Sequence, residues 1–266
     1  MLRTPRELYE GYIFDLDGTI YLGDALLPTV AETITRLRGL GRRTVFLSNN
    51  PTQTRYDYAA KLSRLGLLTP AGDVINSSLV MADFLRRLLP GARLFVVGEA
   101  PLRQELQAAG FELTADAAQI DAVIASFDRT FAYRKLQIAF DAIRAGARFF
   151  ATNADRYCPT PDGGQPDAAA IIAAIEACTD TRVEEVVGKP SRHMVDGILG
   201  LLNLPVDRCI ITGDRLETDV RMGLKAGMDT ALALTGATDE GALADSAVQP
   251  TYVLSALSDL LPDQES

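Results

Sequence analysis

Short apolar runs, several of them rich in β-branched residues, alternate along this chain with longer segments patterned at helical spacing. That alternation commits the chain to an α/β fold built on a mainly parallel sheet. Strands are expected at residues 12–16, 44–47, 74–76, 94–97, 122–126, 149–152, 208–212 and 230–234. Helices are expected at 30–40, 54–65, 79–88, 102–109, 133–145, 168–178, 193–202 and 218–226. Gly41, Gly66, Gly110, Gly146 and Gly227 follow the ends of helices, where left-handed caps favour glycine. Gly-Ala-Arg before an aromatic-containing strand occurs twice, at 91–93 and 146–148. Two glycine-capped turns account for this without an internal repeat.

Polar residues cluster after two strand ends, in Phe46–Asn50 and Val186–Ser191. A single crossover unit takes roughly 30 residues, far fewer than the stretch between them. The remainder, about 100 residues, is long enough to be a small domain of its own. We therefore expect a core of residues 1–80 and 183–266 interrupted by an inserted α/β unit at 81–182. The tail after Pro262 is expected to fray.

A formal net charge of −9 without clustered Lys and Arg argues against a nucleic-acid surface. No run of 18 apolar residues is available to cross a membrane, and the first residues carry charges where a signal peptide needs hydrophobicity. A cytoplasmic location is the expectation. Cys158, Cys178 and Cys209 form no CxxC pair and read as reduced thiols. His193 is the single histidine, placed in the first turn of a helix capped by Ser191, where it reads as solvated or capping. One histidine excludes a multi-histidine metal centre, so carboxylates are the expected catalytic groups.

In a parallel sheet, functional groups gather beyond the C-terminal ends of the strands. Asp15 and Asp17 end the first strand; at i and i+2 they project together while Leu16 turns the other way. Gly18 then permits a tight turn. Two adjacent carboxylates repel unless a cation or a shared proton relieves them. Asp214 follows a later strand and Asp219 lies five residues on, in the first turn of a helix. Added to Asp15, Asp214 makes an all-oxygen set that suits Mg²⁺, with Asp219 able to lie behind, holding the loop or a metal-bound water; Asp214 alone serves equally well as a capping acid. Lys189, between a glycine and a proline, stands on a stiff turn. Ser48, Asn49 and Asn50 fit either turn chemistry or a phosphate oxygen site.

"DLDGT", "LSNN", "VGKP" and "GDRLETD", in this order at strand ends, resemble the four motifs of the haloacid dehalogenase-like (HAD) hydrolases. The long insertion and the "YLGD" after the first motif resemble the NagD-like, p-nitrophenylphosphatase branch. The similarity spans essentially the whole chain. It implies a Rossmann-like core with an α/β cap, and a phosphatase acting on a small phosphorylated metabolite. On these residues it implies Asp15 as nucleophile and Asp17 as general acid/base. Ser48 and Asn49, with Asn50 beside them, would hold phosphate, and Lys189 would sit between nucleophile and phosphate. Mg²⁺ would be held by Asp15, the Asp17 carbonyl and Asp214, with Asp219 in or behind that shell. The inserted unit would be a lid, with Asn153, Asp155, Arg156 and Tyr157 as its candidates for substrate contact. Its "PDAAAI" departs from the branch's frequent "PGxG", which leaves substrate choice open. The exposed lid surface leaves room for a homodimer.

A carboxylate approaching a phosphate dianion at about 4 Å meets a repulsion of roughly 8 kcal/mol at an effective dielectric of 20. A divalent cation and a lysine oppose that charge. A phosphomutase shares the aspartyl chemistry, and a phospho-aspartate signalling module without turnover uses similar residues. The large insertion argues against the second, and Asp17 argues against metal-free dehalogenation.

Overall fold

The computed structural model describes residues 2–160 and 163–262. Expectations for the tail beyond Pro262, and for Pro161 and Asp162 within the 151–171 segment, fall outside them. In chain order the strands are β1 (Gly11–Asp15), β2 (Tyr21–Leu22), β3 (Ala25–Leu26), β4 (Arg43–Ser48), β5 (Val74–Asn76), β6 (Arg93–Val97), β7 (Glu112–Leu113) and β8 (Ala122–Ala125). There follow β9 (Arg148–Ala151), β10 (Tyr157–Thr160), β11 (Gly163–Pro166), β12 (Glu185–Val186), β13 (Cys209–Gly213), β14 (Asp229–Ala233) and β15 (Tyr252–Leu254). The α-helices are α1 (Val30–Gly39), α2 (Arg55–Arg64), α3 (Ser77–Leu88), α4 (Ala100–Ala108), α5 (Tyr133–Arg144), α6 (Ala168–Thr179), α7 (Arg192–Leu202), α8 (Arg221–Ala226) and α9 (Glu240–Asp245).

The chain divides into two compact units. One comprises Met1–Ser48, Arg55–Ile75 and Met194–Ser266; the other comprises Asn49–Thr54 and Asn76–His193.

The first unit holds a six-stranded sheet in the order β15-β14-β13-β1-β4-β5. Every residue of β1 and β13 is buried, as expected of parallel strands covered on both faces. Tyr12, Phe14 and Phe46 stack along one face with Ile34, Leu37 and Leu62, joining the sheet to α1 and α2. The chain leaves β1 toward β4 on one side and returns through β13 on the other, both parallel to it. This places a topological switch point at the C-terminal end of β1, where an open α/β sheet splays to leave a crevice.

The second unit has its own five-stranded parallel sheet, ordered β12-β9-β8-β6-β7. Its core joins Val97, Val123 and Phe149 to Ala139 and Ile143 of α5 and to Ile171 and Ile175 of α6. Gly41, Gly66, Gly110, Gly146 and Gly227 all take positive φ, as expected of helix-ending glycines, and so does Gly91 of the first Gly-Ala-Arg turn.

Besides the unexpected α9 and β15, other local features differ from expectation. Residues 216–220 form a widened π turn before α8, so Asp219 lies in that turn instead of the first turn of an α-helix. Antiparallel pairs at β2-β3 and β10-β11, and the short strands β7 and β12, add pairings that their lengths hide from a periodicity search.

Candidate active site

Strand register dictates the first constellation. Asp15 ends β1 opposite Leu47, one residue before Ser48 closes β4. Phe14 lies opposite Thr212, so Asp214 emerges just past the end of β13, beside the end of β1. Asp15, Asp214 and Asp219 each offer a carboxylate oxygen within 4.8 Å of the others, and all three residues are buried. Burying three acids so close is unfavourable unless positive charge or protons accompany them. A hard, oxygen-only donor set of this kind fits a small divalent cation.

Glycines make room for these acids. A Cβ on Gly18, whose φ is +81°, would lie 2.3 Å from Oδ2 of Asp214, and one on Gly213 would lie 2.3 Å from the Asp219 side chain. Ala237 donates its N–H to Asp214 Oδ2 at 2.7 Å, and Arg215 donates its N–H to Asp219 Oδ2 at 3.3 Å. The π turn follows from this folding back: Val220 N–H reaches the Arg215 carbonyl five residues earlier, returning the Asp219 carboxylate to the strand end.

Asp17, beyond the end of β1, is exposed, while Asp15 and Leu16 are buried. The Asp17 carboxylate stands outside the group formed by the other three acids. The Leu16 carbonyl accepts the N–H groups of Thr19, Ile20 and Tyr21, and Gly18 N–H donates to the Tyr21 carbonyl at 2.9 Å. Burial pushes the Tyr21 phenol well above its ordinary pKa, and the charge of Asp17 adds to the shift. The Lys61 ammonium lies 3.8 Å from the Tyr21 ring centroid. The Ser48 hydroxyl, buried, donates to the Tyr58 hydroxyl at 3.1 Å. Tyr58 was not singled out by sequence, because an aromatic on a helix ordinarily reads as core.

The second unit assembles the other motif residues. Asn49 and Lys189, 140 positions apart, meet through the asparagine side chain: Lys189 N–H donates to Asn49 Oδ1 at 2.7 Å. Asn49 Nδ2 donates to Asp155 Oδ2 at 2.9 Å and reaches the Lys189 carbonyl at 3.4 Å. A Cβ on Gly188 would lie 2.5 Å from Asn49 Oδ1, so only glycine allows this approach. Lys189 is 5% exposed. Asn50 Oδ1 accepts the N–H and hydroxyl of Thr52, an Asx turn, while its Nδ2 reaches the Cys158 sulfur at 3.8 Å.

Asn153 is fully buried, and its amide is engaged by Thr152, Asp155 and Asp167. Arg156 is exposed. His193 packs edge-on against Phe84 at 4.7 Å and lies 3.5 Å from Glu185. The three cysteines are free thiols.

Residues 12–112 match the family described as haloacid dehalogenase-like hydrolase, and residues 186–260 match one described as HAD-hydrolase-like. The sugar-phosphatase AraL of Bacillus subtilis is 37% identical over 94% of this chain and 91% of its own length. The 4-nitrophenylphosphatase structure from Thermotoga maritima superposes with a TM-score of 0.91 at 35% identity, covering 95% of this chain and 96% of that one. NagD from E. coli K-12 gives a TM-score of 0.86 at 30% identity, covering 95% and 98%.

Proposed function

The chain belongs to the haloacid dehalogenase-like hydrolases, as a phosphatase akin to NagD and the p-nitrophenylphosphatases, and from that membership we propose that it hydrolyses small phosphate monoesters through an aspartyl-phosphate on Asp15. The observation that carries this reading is the gathering of Asp15, Asp214 and Asp219 at the switch point of the first unit's sheet.

In the first half-reaction a carboxylate oxygen of Asp15 attacks phosphorus, and the bond from phosphorus to the leaving oxygen breaks. Asp17 supplies the proton that the leaving oxygen takes up. In the second half-reaction Asp17 removes a proton from water, whose oxygen attacks phosphorus and returns the Asp15 carboxylate with inorganic phosphate. Ser48 and the main chain of Asn49 hold phosphate oxygens, since the Asn49 side chain serves Lys189. Lys189 brings its ammonium beside nucleophile and phosphate, opposing the charge that phosphoryl transfer must gather.

HAD-type phosphatases generally depend on a metal, and buried acids are in place for one. We assign it as Mg²⁺, held by Asp15, the Asp17 carbonyl and Asp214 with Asp219 in support; when bound it neutralises charge on carboxylate and phosphate. Residues 81–182 act as the cap that covers the substrate and excludes water. Arg156 and Asn153 remain the cap's proposed substrate-site residues, and Asn50 stands with Ser48 and Asn49 at the proposed phosphate site. The setting we assign is cytoplasmic; among the described residues no helix is long and apolar enough to cross a membrane.

A screen for inorganic phosphate release tests this reading, run over sugar phosphates, nucleoside monophosphates, phosphoglycolate, glycerol phosphate and pyridoxal phosphate with Mg²⁺ or EDTA. Release that needs Mg²⁺ and disappears in Asp15→Asn is expected. Transfer of the phosphoryl group back to substrate without phosphate release would favour a mutase, and no release from any compound would overturn the assignment.

A further inference from the structure

We infer that Asp155 is a positioning residue for Lys189, acting through the side-chain amide of Asn49. An asparagine amide presents an acceptor on one side and two donors on the other. With Asp155 Oδ2 at 2.9 Å, only the NH₂ face of Asn49 can turn toward it; the reversed amide would set oxygen against carboxylate. The orientation that Asp155 imposes turns Oδ1 toward Lys189, where it accepts the main-chain N–H at 2.7 Å. Reversal would also oppose the Asn49 NH₂ to that N–H. The Asp155 carboxylate and the Lys189 main chain thus hold the amide in the same orientation.

Asp155 is itself held from behind. Its Oδ2 accepts a second amide from Asn153 Nδ2 at 3.1 Å, and its carbonyl accepts the N–H of Ala169 at 3.1 Å. Asn153 also donates to Asp167 Oδ1 at 3.0 Å, the same oxygen that caps Ala168 at the start of α6. Thr152, next to Asn153, ends its own chain of hydroxyls on Ser126 at 2.8 Å. Hydrogen bonds therefore run from the N-terminus of α6 through Asn153, Asp155 and Asn49 to the Lys189 backbone, all inside the second unit. Paired strand ends make this run short: Ala151 of β9 lies opposite Val186 of β12, so Thr152–Asp155 and Gly188–Lys189 leave the sheet side by side. Ser77 fixes the other side of Asn49, donating its hydroxyl to the Asn49 carbonyl at 2.7 Å.

The consequence for catalysis rests on the reading of Lys189 as the cation beside phosphate, so the test separates the two. Amide hydrogen exchange at Lys189 in the full-length protein, without substrate, reads the positioning alone. Asp155→Ala should speed that exchange by about tenfold, the scale of one buried hydrogen bond lost, and by more than at amides elsewhere in the second unit, which report any general loss of stability. In phosphate release, Asp155→Ala should lower kcat with little change in KM. In an Asn49→Ala background the same substitution should add less than about a twofold effect, because residues acting as one unit are not additive.

The conservative variant supplies a second test. Asp155→Asn keeps one side-chain oxygen able to accept both Asn49 Nδ2 and Asn153 Nδ2, so it should retain most of the protection at Lys189 and most of the kcat that Asp155→Ala loses. Unchanged exchange in Asp155→Ala, fully multiplicative effects of the two alanine variants, or an equal loss in Asp155→Asn would overturn the positioning role. Faster exchange together with wild-type turnover would sink the assignment of Lys189 to phosphate instead.

Discussion

Oδ2 of Asp214 lies 2.3 Å from where a Cβ on Gly18 would stand. Gly18 also takes a φ of +81°, a conformation that costs a side-chain-bearing residue about 1–3 kcal/mol. Gly18→Ala should therefore destabilise the first unit by about 2 kcal/mol or more and push the Asp214 carboxylate away from Asp15. Urea unfolding measures the first effect. Loss of Mg²⁺-induced stabilisation measures the second, and a wild-type response in both would refute the close packing.

If the buried acids hold Mg²⁺, the ion stabilises the folded state by mass action, about 2.7 kcal/mol at a hundredfold excess over its dissociation constant. Thermal unfolding should shift upward with Mg²⁺ in the wild type and far less in Asp214→Ala. EDTA should remove both the shift and the turnover. An equal shift in the two proteins would place the ion elsewhere.

Tyr58→Phe removes the hydroxyl that receives the Ser48 proton in a buried setting. A neutral hydrogen bond of this kind contributes about 1 kcal/mol, so a drop of that size in stability is expected. If Ser48 holds a phosphate oxygen, KM for substrate should rise several-fold with a smaller change in kcat. Steady-state kinetics that leave KM untouched would remove Tyr58 from the positioning of Ser48.

The second unit should weaken in acid. Glu99 is held below its ordinary carboxylate range chiefly by hydrogen bonds from the Arg129 guanidinium, at 2.7 Å for each of two N–H groups. Glu184 is depressed in the same way by Arg148. For a carboxylate whose folded pKa is lowered, the stabilisation is complete above the unfolded pKa and fades as pH falls through the folded one. Urea midpoints measured from neutral pH down past about 4 should decline, and the decline should be shallower in Glu99→Gln. An identical slope in the variant would contradict the assignment.

Much of this was legible because the signals are local. Apolar runs marked the strands that carry Asp15, Ser48 and Asp214, and parallel topology then sent their ends to one edge. What escaped depends on distance or on shortness. The side-chain amide of Asn49 turns to a backbone 140 positions away, a partner that no spacing reveals. Asn153, a candidate as part of the lid segment, is fully buried and bonded to Asp155 and Asp167, partners 2 and 14 positions away that composition does not disclose. Asp219 does lie in the first turn of a helix, but that turn is a π turn, a type that apolar spacing does not distinguish, and its carboxylate accepts the Arg215 N–H. Strands of two residues such as β7 and β12 are too short to show alternation.

Trapping the covalent enzyme decides whether Asp15 is the nucleophile. Asp17→Asn, mixed with a substrate and quenched in acid, should yield a peptide containing Asp15 that carries one phosphoryl group, while Asp15→Asn yields none and releases no phosphate. Phosphate release by Asp15→Asn at the wild-type rate, or a phosphoryl group found on another residue, would contradict the aspartyl-phosphate route.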